Sequence, residues 1–196
     1  MSGNYILLAF FWFLYCVLHS VLADNKVKIF LNRNVVFKLV PYRIFYNIWA
    51  FLSLTAVLFY QFTFFSDNIF NPGFLTQLAG VLLSFSGFII MIICIKKYFR
   101  QLSGLEESYT DVLQVSGIHT IIRHPLYAGT FLFIIGLWLL LPSWSNLIAV
   151  CIIIIYTLIG IELEEKKLVS YFGDQYIHYK KNVPAILPKL SFHTRK

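Results

Sequence analysis

The stretch "IIRHPLYAG" places a basic residue and an imidazole, Arg123 and His124, directly before Pro125 and a strongly apolar run. Proline suits the first turn of a helix, because its missing N–H would lack a partner there anyway. The free N–H groups of such a start attract anions, and Arg123 and His124 strengthen that attraction. The plainer alternative is a positively flanked membrane anchor. A second polar group, Glu162, Glu164 and Glu165, closes the last apolar stretch. Read as lying at a helix C-terminus, these acids oppose the helix dipole and need partners. One reading pairs them with Lys166 and Lys167; the other has them hold a cationic ligand. An anion site beside paired carboxylates suits a zwitterion that carries an extra positive charge. His19 and Ser20 close the first apolar stretch, and Asn47 and Gln61 lie in the second. A histidine there is either an interface residue or a group that steadies an anionic nucleophile; the two amides are expected to bond between helices.

The elements that position these groups are membrane helices. Of 196 residues, 59% are hydrophobic and only 13% are charged, against about a quarter charged in soluble domains. A span needs roughly 20 apolar residues. Five segments qualify or nearly so, at about 4–23, 43–65, 74–95, 126–141 and 144–161. The last two, joined by "LPSWSN", are expected to form a helical hairpin. The fold expected is therefore an all-α integral membrane protein, a single membrane domain with a cytoplasmic tail. Its residues 1–95 carry three helices, and 96–196 carry the polar loop, hairpin and tail.

All 16 Lys and Arg fall in the segments at one end of this five-helix arrangement, and Asp67 is the only charged side chain at the other. The excess of positive charge on the cytoplasmic side then places the N-terminus outside and the C-terminus inside. Topology and anionic lipid account for the net charge of +7 without nucleic acid. The first helix lacks the basic start of a cleavable signal. Cys16, Cys94 and Cys151 are isolated, with no metal-ligand spacing, so neither disulfides nor zinc is expected. The topology brings the loop 96–125 and the tail after 161 to one mouth, which makes Arg123–His124 and Glu164–Glu165 neighbours. Beyond them Leu168, Tyr171, Phe172, Tyr176 and Tyr179 recur at helical spacing, interrupted by Gly173. This stripe reads as an amphipathic helix packing back on the bundle and ended by Pro184 and Pro188.

"RHPLYAG", a hydrophobic hairpin, "EEKKL" and "FGDQYIHYKKNVP", in that order, resemble the isoprenylcysteine carboxyl methyltransferase superfamily of integral-membrane enzymes, which use S-adenosyl-L-methionine. "LHSVLADNKVK", "VPYRIFYN" and "IGIELEEKKLV" are similar to the branch that contains methanethiol S-methyltransferases, NnrU-type proteins and nurim. The resemblance implies that His124, Tyr127 and Glu164 line the donor pocket, with Pro125 and Leu126 between them and Glu165 beside them. His119 stands where members often have tyrosine. Gly160 stands where the isoprenylcysteine enzymes carry an arginine for the substrate carboxylate, which favours a small neutral acceptor. The function implied is methylation of a small apolar thiol such as methanethiol. A lipid or prenylcysteine acceptor is one alternative, and a non-enzymatic NnrU- or nurim-like membrane protein is another. Methyl transfer from a sulfonium mainly requires donor and nucleophile held in line. A thiol with pKa near ~8.5 yields thiolate without a strong base. Arg123 and His19 are the candidates for steadying that anion or orienting the donor.

Overall fold

The computed structural model describes residues 2–31, 42–63, 66–103, 112–113 and 115–188. Arg33, Lys38, Lys189, Arg195 and Lys196, and residues 104–111 and 114 of the polar loop, lie outside them. Among the described residues every regular element is helical: α1 (Ser2–Ala23), α2 (Asn25–Leu31), α3 (Tyr42–Thr63), α4 (Phe74–Ser103), a 3-10 turn (Gly117–Thr120), α5 (Pro125–Leu140), α6 (Trp144–Phe172) and α7 (Asp174–Asn182). Four of these are long and apolar enough to cross a membrane, and α5 is a shorter apolar helix. Hydrocarbon offers backbone groups no partners, so a chain of this composition satisfies them internally as helices. Only 11% to 22% of the residues in each span are buried inside the protein. Side chains such as Phe59, Phe74 and Leu75 point outward, as lipid-facing positions do. The chain is a multi-pass membrane protein.

Two compact units are present. The first comprises 1–73 and 141–156. Leu8, Trp12, Val57 and Ala149 form its core. A polar chain fastens its helices: Trp12 Nε1 donates to Gln61 Oε1 at 2.8 Å, Gln61 Nε2 to Asn146 Oδ1 at 2.7 Å, and Asn146 Nδ2 to the Leu141 carbonyl at 2.8 Å. Gln61 thus plays the interhelical part expected of it, whereas Asn47 is exposed.

The second unit comprises 74–140 and 157–196. Helices α4 and α5 touch backbone to backbone. A methyl carbon added at Gly87 would lie 2.5 Å from both the Gly129 carbonyl oxygen and the Phe133 amide nitrogen. One added at Gly80 would lie 2.9 Å from the Gly136 carbonyl oxygen. Close approach through small residues is how membrane helices gain packing energy without a hydrophobic drive. The hairpin turn is Leu141–Ser143, and α5 starts at Pro125.

Helix α6 begins in the first unit and ends in the second. It runs to Phe172 rather than stopping near 161. Its polar continuation is itself helix-forming, and Glu162 pairs with Lys166 one turn on, at 2.8 Å. The three glutamates therefore lie inside the helix, so the expected conflict with a C-terminal dipole does not arise. Gly173, at φ +55°, ends α6 in a conformation that side-chain-bearing residues rarely adopt. It also splits the aromatic stripe: Tyr176 and Tyr179 of α7 are buried, while Tyr171 of α6 is 51% exposed.

Candidate functional site

The second unit brings Arg123–His124 and Glu164–Glu165 together. The two glutamates, adjacent in sequence, point to different surroundings. The Glu165 side chain is 9% exposed, and that of Glu164 is 45% exposed. Glu165 Oε1 accepts from Arg123 Nε at 2.9 Å and Nη2 at 2.5 Å, and lies 3.2 Å from His124 Nε2. Its other oxygen lies 2.6 Å from Lys180 Nζ. Among the described residues Glu164 has one longer contact, 3.7 Å to His124 Nδ1. The buried imidazole therefore presents one nitrogen to each carboxylate. Its ring stacks on Tyr127, with centroids 5.6 Å apart and planes at 25°. Pro125 is buried, and Leu126 and Tyr127 are half-buried.

Arg123 uses four of its five N–H donors. Besides Glu165 it donates from Nη1 to the carbonyls of Lys180, at 3.1 Å, and Val183. Its backbone N–H donates to the Pro184 carbonyl, and that of His124 to the Ala185 carbonyl, both at 2.9 Å. The Arg123 guanidinium and the backbone N–H groups of Arg123 and His124 are therefore not open to an anion. The amides just ahead of α5 are spent on the segment after α7, and the guanidinium is committed to a carboxylate and two carbonyls. The carbonyls of the successive residues Pro184 and Ala185 thus face that helix start, a role their spacing alone does not announce.

His119 lies in the 3-10 turn. Its Nδ1 stands 3.1 Å from the Arg123 carbonyl, which makes Nδ1 the donor. Its own carbonyl accepts from the Tyr179 hydroxyl at 2.6 Å. Gly117, at φ +66°, starts that turn. Tyr176 is 1% exposed. Burial, with the Glu165 carboxylate adding to it, pushes its hydroxyl pKa well above the ordinary value, so the phenol stays protonated. Tyr176, Tyr179 and Lys180 are thus part of the site's frame. The aromatic periodicity marks the two tyrosines only as packing residues, and nothing in the spacing marks Lys180.

His19 belongs to the first unit and has partners there. The Tyr46 hydroxyl lies 3.0 Å from its Nε2, and Tyr15, Tyr46 and Tyr156 surround its ring at centroid distances of 5.4 to 6.5 Å. Ser20 and Tyr156 share a hydrogen bond at 2.9 Å.

A family model described as phospholipid methyltransferase matches residues 75–175, which takes in Arg123, His124 and both glutamates. A methanethiol S-methyltransferase of Crocosphaera subtropica is 28% identical over 193 residues, covering 89% of this chain and 71% of that protein. Methanethiol S-methyltransferase 1 of Bradyrhizobium diazoefficiens is 29% identical over 190 residues, covering 89% of this chain and 64% of its own length. A protein-S-isoprenylcysteine O-methyltransferase of Xenopus laevis is 36% identical over 97 residues, covering 46% of this chain and 32% of that protein. The chain thus spans from about a third to seven tenths of the length of these relatives. No solved structure gives a significant match.

Proposed function

The chain belongs to the phospholipid methyltransferase family, and from that premise we propose that it transfers a methyl group from S-adenosyl-L-methionine to a small thiol such as methanethiol. The observation that carries the donor assignment is the pair of unlike glutamates. Glu165 is consumed by Arg123, Lys180 and His124, which leaves Glu164 as a half-exposed carboxylate held at one edge of a buried imidazole. These side chains suit the positively charged side of the donor. Glu164 offers an open acceptor for its cationic or hydroxyl-bearing parts, and the half-buried Leu126 and Tyr127 offer apolar surface. When bound, the donor supplies an electrophilic methyl on a positively charged sulfur. His119, His124, Pro125 and Glu165 shape and hold that place rather than react.

Methyl transfer of this kind rewards placement more than acid–base strength. The chain's own work is to bind, to orient and to keep water out, at a membrane mouth where an apolar thiol arrives through the bilayer. Two observations support a small acceptor. The relatives that match most of this chain are named as methanethiol enzymes, and Gly160, one turn before Glu164, offers no basic side chain to a substrate carboxylate. The shorter match to an isoprenylcysteine enzyme favours a lipidated acceptor as the second reading. The distribution of all 16 basic residues supports an outward N-terminus and a cytoplasmic C-terminus.

The test is S-adenosylhomocysteine binding to the detergent-purified chain by calorimetry, beside Glu164→Gln. Binding that the substitution removes is the expected result. Equal binding by both would overturn the donor assignment. A panel of thiols, prenylcysteines and amine headgroups with labelled donor then identifies the acceptor class.

A further inference from the structure

We propose that Arg123 is a positioning residue for the donor site and that the C-terminal segment 174–187 is a clamp that it latches. The proposal rests on the reading that His124 and Glu164 receive the donor. The last carbonyls of any helix lack partners within it. At the end of α7 the Lys180 and Val183 carbonyls are taken by Arg123 Nη1, a side chain brought from the start of α5. A guanidinium there also meets the negative end of the helix dipole. The residues just beyond α7 return the contact: the Pro184 and Ala185 carbonyls hold the backbone N–H groups of Arg123 and His124. Tyr179 adds a third tie through the His119 carbonyl, and His119 in turn faces the Arg123 carbonyl.

The other edge of the same guanidinium grips Glu165 Oε1, the oxygen that also faces His124 Nε2. Arg123 therefore controls His124 from two directions. It fixes the backbone of His124 through the clamp and the ring through Glu165. Lysine retains the charge but not the planar fork, so it can pair with Glu165 or cap α7 but cannot do both. This separates the latch from a simple ion pair and makes the role measurable apart from folding.

The experiment uses the full chain in detergent with Arg123→Lys and Arg123→Ala. For Arg123→Lys we expect the donor KM and the S-adenosylhomocysteine Kd to rise about tenfold or more, with kcat at saturating donor within about threefold, as for lost binding rather than lost chemistry. Hydrogen exchange should speed up at the amides of residues 123 and 124, while amides in the middle of α4 keep their protection and report an intact fold. Activity lost in Arg123→Ala should return with added guanidinium but not with ammonium. Wild-type donor affinity in Arg123→Lys, or unchanged exchange at 123 and 124, overturns the proposal. Failure of the wild-type protein to bind S-adenosylhomocysteine would instead sink the donor-site reading. In that case the exchange at 123 and 124 still decides whether the clamp is latched.

Discussion

Glu164 and Glu165 are adjacent and chemically identical, yet their replacement by glutamine should have opposite effects. Glu165 is paired with Arg123 at 2.5 Å, with both side chains under one tenth exposed, and it also holds Lys180 at 2.6 Å. Removing one partner of a buried pair costs about 3–5 kcal/mol, because the other charge is left uncompensated. In Glu165→Gln the new amide also turns a donor toward either Lys180 or Arg123. Against a typical stability of roughly 5–15 kcal/mol, this is a large fraction. Glu164 has one contact among the described residues, at 3.7 Å, and is nearly half exposed, so Glu164→Gln should cost no more than about 1 kcal/mol. Its effect should appear in donor binding instead. The assay is thermal unfolding in detergent together with calorimetric titration of S-adenosylhomocysteine for both variants. The expected pattern is a destabilised Glu165→Gln and a stable Glu164→Gln that no longer binds. If Glu164→Gln unfolds as readily as Glu165→Gln, the division of labour between the two carboxylates is wrong.

Gly87→Leu should destabilise the second unit by about 3 kcal/mol, at the upper end of overpacking costs, because the obstacle is the Gly129–Phe133 backbone rather than a movable side chain; thermal unfolding checks this, and a stability equal to wild type would contradict the contact. Gln61→Leu leaves Trp12 Nε1 and Asn146 without their mutual partner and should cost about 1–3 kcal/mol, at roughly 0.6–1.7 kcal/mol for each of two bonds in a membrane; a neutral change would mean the polar chain adds nothing. Gly160→Phe should remove turnover of methanethiol while leaving S-adenosylhomocysteine binding unchanged, since the ring would fill open space beside Glu164; unaltered turnover would place the acceptor elsewhere.

The helical membrane class and the approximate spans were legible in the sequence, since a long apolar run in hydrocarbon has few ways to satisfy its backbone. So was the meeting of Arg123–His124 with Glu164–Glu165, because a hairpin with a short turn returns its outer ends to one another. The contact of α4 with α5 was not read there: Gly80 and Gly87 have the same spacing as Gly129 and Gly136, but equal spacing does not name a partner until the helices are laid together. The tertiary structure alone distributed the work within the site. It made Glu165 the buried anchor and Glu164 the open carboxylate, although successive helix positions differ only by a rotation that sequence cannot orient. It also turned the tail's Lys180, Val183, Pro184 and Ala185 onto Arg123 and His124. Those contacts run mainly through backbone carbonyls, which every residue carries, so no residue type could have announced them.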